Sequence, residues 1–340
     1  MITLPILDLR NDSPEVQAKT IREALGTVGF FEVRNSNLEA NEIETIFELA
    51  KEVFAQPQDV KESFAADAIG SGYYGPHQQA LGLYKRDNKE ALLYGRQTAH
   101  REQPLPPPFT PGSPAQSTLK KFYKDCHSTS EQLLELFALA LELPFAHFRR
   151  AHSFGENTAT SLIHYPPVPP GDQGRAVKSD IRSGEHKDWG TLTMLFQMPD
   201  GQPGLQVYLP RAAVPDAEPV DTNHNSEYTF EGEWGWYNAP IPPPGGFLIN
   251  VGLAMELWSG GAYKATLHRV VFPPAKEGEG LQGRYSVTYF VQPDDQVEIR
   301  PVLQGGANVK EGEPVTSKDL FGGKLKESLE RIKNMPERSA

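Results

Sequence analysis

Five residues in the second half of the chain have types and spacings that could do chemistry. His186 and Asp188 stand in GEHKDWGTLT (184–193), His268 opens the apolar run HRVVF (268–272), and Arg284 and Ser286 lie in the β-like run that follows. A His-x-Asp pair alone means little in a chain with 9 histidines and 44 acidic residues, and one His is more often a satisfied hydrogen-bonding group. The set together says more. Residues i and i+2 of a strand share a face, so His186 and Asp188 can both aim inward at the mouth of a barrel. Arg284 and Ser286 can aim into the same cavity for the same reason. Two His and one carboxylate form the facial set of non-haem iron(II) oxygen chemistry, with three positions left open for a cosubstrate and dioxygen. A closed zinc site would need a further Cys or His nearby, and none has suitable spacing. The HExxH run of zincin hydrolases is absent. An arginine buried in a strand needs an anion, and its planar fork fits a carboxylate bidentately. Ser286 can donate to the same carboxylate. The competing reading of Arg284 is a structural ion pair to an Asp or Glu.

Such residues need a scaffold. LPILDL (4–9) and VGFFEV (28–33) read as strands, and Ser13-Pro14-Glu15 as a helix start with Ser at N-cap and Pro at N1. Over 39–55, Ile43, Ile46, Phe47, Ala50, Val53 and Phe54 recur at helical spacing. A proline-rich loop (104–116) precedes a long helical pattern over 117–141. Near residue 160 the character changes to short β runs separated by Gly and Pro: 192–196, 204–209, 247–251, 268–272 and 285–291. Such spacing predicts a sandwich or barrel. Residues 210–233 read as a polar, exposed insertion, and 318–334 as a last helix. The expected organisation is a helical N-terminal region with short strands (1–150), a β core carrying the site (151–300) and a helical tail (301–340), in one compact unit.

The 340 residues can bury a sizeable core. A formal net charge of −11 disfavours nucleic acid and anionic membranes as partners. The one cysteine, Cys126, allows no intrachain disulfide and suits a reducing compartment. With no long apolar run and no basic-then-apolar start, a cytoplasmic protein acting on a small molecule is expected, its oligomeric state left open.

GEHKDWGTLTML, PPPGGFLINVGLAMELWSGGAYKATLHRVVFPP and GRYSVTYFVQP, in that order, resemble the isopenicillin N synthase-like branch of the iron(II)/2-oxoglutarate oxygenases. The stretch from LPILDLR to EVFAQP resembles that family's N-terminal region, so the likeness runs over about residues 4–334. The resemblance implies a mainly β fold, a distorted double-stranded β-helix (jelly-roll) flanked by helices. It implies iron(II) on His186, Asp188 and His268, and 2-oxoglutarate chelating that iron with its distal carboxylate on Arg284 and Ser286. Tyr165 in HYPPVPP matches the tyrosine that helps hold the cosubstrate. Trp189 and Phe290 match positions lining the substrate pocket, and Tyr73 in SGYYGP matches a turn near the entrance. Dioxygen is the second cosubstrate, with ascorbate in support.

The implied reaction releases succinate and carbon dioxide while a small organic molecule, such as a secondary metabolite, is hydroxylated, desaturated or cyclised. Alternatives are a relative that oxidises its substrate without 2-oxoglutarate, and a silent ligand-binding relative. The motifs resemble microbial and fungal members, thymine hydroxylase-like ones included, although Ser161 and Ile163 replace a basic residue and an Asn. Leu253 replaces the Asp of the family's Gly-Asp pair. The tail helix and the 104–116 loop are candidate lids. Arg96 and Lys89 could meet a substrate carboxylate, but plain surface charge is the more usual role.

Overall fold

The computed structural model describes residues 1–67, 70–83, 85–95, 102–153, 158–169, 181–221, 232–273, 280–302 and 315–335. Helix α1 (Pro14–Thr27) begins as its sequence predicts: Ser13 Oγ accepts the Val16 N–H, and Pro14 opens the first turn. It stops at Gly29, whose φ of 76° suits glycine and whose N–H bonds the Ala24 carbonyl. A Cβ there would lie 2.5 Å from the Lys264 carbonyl oxygen, so only glycine lets the chain pass this segment. Helix α2 (Ala40–Phe54) buries the stripe from Ile43 to Phe54, and α3 (Gln58–Glu62) follows. The long α4 (Pro114–Ala140) starts at a Ser113 cap.

Two sheets, antiparallel but for one pair, carry the core. The larger joins β1 (Ile6–Asp8), β2 (Phe30–Arg34), β10 (Phe247–Val251), β7 (Leu192–Gln197), β12 (Arg284–Val291), β5 (Ala159–Tyr165), β4 (Glu90–Gly95) and β3 (Gly72–Tyr74), in that order. The parallel pair among these described strands is β1 with β2. The smaller sheet runs β6 (Ser183–His186), β11 (His268–Val270), β8 (Leu205–Pro210), β9 (Trp234–Asn238). Strands β13 (Glu298–Ile299) and β14 (Val315–Thr316) pair beside the tail helix α6 (Ser317–Asn334).

The larger sheet is buried on both faces. Ala91, Ile163, Tyr165 and Leu248 face Val207, Leu209, Tyr237 and Val270 of the smaller sheet and form the interior of the jelly-roll. Leu92, Leu162, Phe196, Val287 and Tyr289 point the other way and pack with residues of α1, α2 and α4. Two-sided burial is why FLINV and YSVTYFV read as nearly unbroken apolar runs rather than alternating ones. The jelly-roll flanked by helices is the expected fold.

Several expectations need correction. Besides α1 to α4, the N-terminal region contributes the short strands β1, β2, β3 and β4 to the larger sheet. Strands β3, β4, β5 and β9 are not singled out as strands in the sequence; sheet neighbours decide them. The 104–116 loop is no lid over the site: Leu105 and Phe109 are buried in the helix-side core. Part of the polar insertion, 222–231, and Arg96 lie outside the described residues. Among the described residues, no helix is long and apolar enough to cross a membrane.

Candidate active site

Strands β6 and β11 set His186 and His268 directly opposite each other, with ring centroids 4.2 Å apart. Asp188 is not on a strand, contrary to the pleat argument. β6 ends at His186, and the turn after it swings the carboxylate inward. The N-terminus of α5 (Leu253–Trp258) holds that turn: Leu253 N–H donates to the Asp188 carbonyl at 2.8 Å and Ala254 N–H to that of Trp189 at 3.1 Å. Gly252 packs so closely that a Cβ would sit 2.4 Å from the Gly190 carbonyl oxygen and 2.8 Å from that of Asp188.

The three side chains offer ligand atoms all within 4.8 Å of one another. His186 Nδ1 lies 2.7 Å from the Gly184 carbonyl and His268 Nδ1 3.0 Å from that of Thr266. Each Nδ1 therefore carries the proton and donates it, which leaves both Nε2 lone pairs toward Asp188 Oδ1, 3.5 and 3.7 Å away. Asp188 Oδ2 accepts from Thr193 Oγ1 (2.6 Å) and Asn250 Nδ2 (2.7 Å). Burial pushes the Asp188 carboxyl up, but His268, His186 and Thr193 outweigh it and hold the group well below the usual carboxylate range. Burial, then His186, pushes His268 down to about 4. The site is thus a preformed set in which both imidazoles turn Nε2 toward one oxygen of the Asp188 carboxyl group.

Arg284 and Ser286 alternate onto the interior face of β12, 3% and 1% exposed, with Tyr165 directly opposite Arg284 on β5. The Arg284 guanidinium carbon lies 5.1 Å from the Tyr165 ring centroid. Its Nη2 donates to Gln197 Oε1 and its Nε to the Gln202 carbonyl, both neutral acceptors. Buried Nη1 has no hydrogen-bond partner among the described residues. No carboxylate there pairs with it either, so the structural ion pair gains no support. An open three-ligand set beside a buried, partly unpartnered guanidinium fits iron(II) with a carboxylate-bearing cosubstrate.

Trp189 stands at the mouth, edge-on to Phe321 of α6 at 5.6 Å, in a cleft shared with His186, Leu253 and Arg331. Half-buried Phe290 shares the face of Arg284 and Ser286 and pairs with Thr193, the residue that bonds Asp188. Tyr73 is placed elsewhere, and this corrects the entrance assignment. It is 1% exposed, packs in the helix-side core and donates to Glu90 Oε2 at 2.6 Å, where Lys61 also binds. Lys89 is no surface charge. It is 7% exposed on the interior side, 3.0 Å from Asp87, and its charge is felt at His268.

Sequence reasoning missed Thr193, Asn250, Gly252 and Arg182. Asn250 left one signal, a lone amide inside FLINV; a buried polar group needs a partner. Arg182, four residues before His186, is fully buried.

Comparison with known proteins agrees with this geometry. Residues 4–112 match the family described as the N-terminal region of non-haem dioxygenases in morphine synthesis, and 156–293 match the 2OG-Fe(II) oxygenase superfamily. The 2-oxoglutarate-dependent dioxygenase htyE of Aspergillus rugulosus is 29% identical over 336 residues, covering 90% of this chain and 91% of its own. A 1-aminocyclopropane-1-carboxylate oxidase of Dictyostelium discoideum is 26% identical over 333 residues, covering 85% and 82%. In fold, the chain resembles a full-length Neurospora crassa protein crystallised in complex with alpha-KG and thymine, with a TM-score of 0.78 at 23% identity over 96% of this chain and 97% of that one. The chain therefore belongs to the 2OG-Fe(II) oxygenase superfamily, in the branch that carries this N-terminal region, and is an iron(II)- and 2-oxoglutarate-dependent dioxygenase.

Proposed function

We propose that His186, Asp188 and His268 hold the iron, that Arg284, Ser286 and Tyr165 hold 2-oxoglutarate, and that the substrate is a small organic molecule, such as a secondary metabolite, resting against Trp189 and Phe290. The supporting observation is convergence. The ligand set, Tyr165 on β5, and Arg284, Ser286 and Phe290 on β12 come from segments far apart in the chain yet share one interior. Iron with its cosubstrate and dioxygen supplies the oxidising power that couples loss of carbon dioxide to hydroxylation, desaturation or ring closure of the substrate. The protein's own contribution is positional. The Gly184 and Thr266 carbonyls fix the imidazole tautomers, Thr193 and Asn250 fix the carboxylate, and Arg284 with Ser286 sets the cosubstrate's orientation.

Tyr73 is withdrawn from the pocket. The wall beside Arg284 and Ser286 is neutral, with Ser161 and Ile163 on β5, so it favours an uncharged face of the substrate. Lys89, held by Asp87 at 3.0 Å and beside Ser183, suits a polar substituent. Helix α6 lies over the mouth through Trp189–Phe321 and through Arg331, which donates to the Leu81 carbonyl at 2.8 Å. It serves as the lid. The three stretches of chain act as one unit in the cytoplasm, with ascorbate as supporting reductant.

The test is spectroscopic. Anaerobic protein with iron(II) and 2-oxoglutarate should develop a metal-to-ligand charge-transfer band that is absent in His186→Ala and weak in Arg284→Ala. A substrate screen by succinate release then follows. Iron binding with no band would point to the oxidase that works without 2-oxoglutarate, and no iron binding at all would sink both readings.

A further inference from the structure

Arg182 is 0% exposed and belongs to no ion pair among the described residues. Its Nη2 donates to Gln202 Oε1 at 2.8 Å and to the Gln282 carbonyl at 2.9 Å. Its Nε and Nη1 are buried without a hydrogen-bond partner among the described residues. The guanidinium carbon lies 5.1 Å from the Phe272 ring centroid and 5.9 Å from that of Tyr165, the same ring that Arg284 approaches at 5.1 Å. Gln202 joins the two arginines, with its side-chain oxygen on Arg182 and its carbonyl on Arg284. Two buried cations thus flank one tyrosine. Among the described residues they share neutral acceptors only, and three N–H-bearing nitrogens are left over: Nε and Nη1 of Arg182 and Nη1 of Arg284.

This arrangement is unfavourable unless an anion joins it. Two like charges in a low-dielectric interior repel, and each unmet buried donor forfeits its hydration. The strain is visible at Arg182, where burial and then the Arg284 charge push the pKa down to about 10. Cation–π contact with Phe272 and Tyr165 offsets part of the desolvation but satisfies no N–H.

We propose that Arg182 is a second cosubstrate-binding cation, and that the distal carboxylate of 2-oxoglutarate lies between Arg182 and Arg284 and accepts from the donors both leave free. This rests on the reading that Arg284 takes that carboxylate. Arg182 then decides selectivity: a 2-oxo acid that lacks the distal carboxylate leaves two buried cations unneutralised.

The test compares two ligands on the full chain loaded with manganese(II), which prevents turnover. Calorimetry gives Kd for 2-oxoglutarate and for 2-oxopentanoate, which has the same keto-acid end and no distal carboxylate. Wild type should prefer 2-oxoglutarate. In Arg182→Met, which keeps apolar bulk against Phe272 and Tyr165, the preference should fall about 10- to 100-fold while 2-oxopentanoate binds as well or better. Arg284→Met is the control. If Arg284→Met loses the preference and Arg182→Met keeps it, Arg182 is a structural cation and the proposal fails while the Arg284 reading stands. If neither variant loses it, the Arg284 reading fails and takes the proposal with it. Should Arg182→Met not fold, Arg182→Lys carries the test, because a point charge lacks the fork. A loss of preference of about fivefold or more supports the proposal, and an unchanged preference overturns it.

Discussion

Asn250 donates from Nδ2 to Asp188 Oδ2 at 2.7 Å, from within an otherwise apolar strand to the turn that carries this carboxylate. Together with Thr193 it occupies Oδ2 and leaves Oδ1 to face the two His Nε2 atoms. Asn250→Ala should weaken manganese(II) or iron(II) binding about 10- to 100-fold, as expected when a partner of a metal ligand is lost. Thr193→Ala should do likewise, and Thr193→Ser should restore most of the affinity because the hydroxyl remains. A metal Kd unchanged in both Ala variants would show that Asp188 needs neither partner.

Gly252 is the second support of that turn. Its missing Cβ leaves room for the Gly190 and Asp188 carbonyl oxygens, which would otherwise lie at 2.4 and 2.8 Å. Both contacts are backbone and neither can rotate away. Gly252→Ala should cost about 1–3 kcal/mol of stability by overpacking and displace Asp188, lowering metal affinity roughly tenfold or more. Urea melts and metal titration of the same sample check both parts.

Glu90 lies at the centre of a buried network on the helix-side face: Lys61 Nζ at 2.7 Å, Tyr73 Oη at 2.6 Å and His164 Nδ1 at 2.8 Å. Replacing it with Ala strands Lys61, which is 6% exposed. The expected loss is about 3–5 kcal/mol, the usual result of leaving one member of a buried pair alone. Tyr73→Phe should be milder, about 1 kcal/mol for one hydrogen bond, and should leave the KM for substrate unmoved. A large KM effect would return Tyr73 to the pocket.

Stability should fall in mild acid through His152. Burial is the largest cause of its depression to about 4, in a site where Nδ1 meets the Phe148 carbonyl and Nε2 meets Thr191 Oγ1. In the unfolded chain the group titrates near its ordinary 6.5. Protons therefore bind the unfolded state first. The stabilisation from neutral His152 is complete above pH ~6.5 and is lost as pH falls from there through ~4, up to about 3 kcal/mol. Urea midpoints at pH ~7.5 and pH ~5 should converge in His152→Gln relative to wild type. An equal drop in the variant would assign the acid sensitivity to other groups.

Helix α6 meets the body at two ends. Phe321 packs on Trp189 at 5.6 Å, while Arg86 Nη2 donates to the Ile332 carbonyl at 3.1 Å and Arg331 to that of Leu81 at 2.8 Å. As a lid, it should be cut less readily by trypsin when manganese(II), 2-oxoglutarate and substrate are bound. Phe321→Ala should raise succinate release that is not coupled to product. Equal cleavage with and without ligands would make α6 a fixed wall.

The sequence by itself determined what depends on local pattern and residue type. The Ser13–Pro14 cap and the apolar stripe of α2 start and orient helices without outside help. His186, Asp188, His268, Arg284 and Ser286 stood out because few other roles suit those types at those spacings. Only the tertiary structure decided what depends on distant partners. Asp188 aims inward because the N-terminus of α5, far along the chain, holds its turn, and not because of a pleat. Tyr73 sits against the helices because the register of β3 on β4 sets it on the Glu90 side of the sheet. Lys89 looked like an ordinary surface charge because charged residues usually are, and Arg182 carried no local signal that set it apart. That they are buried, and that two arginines share one tyrosine with no described carboxylate between them, follows from pairing between segments far apart in the chain, which no local pattern encodes.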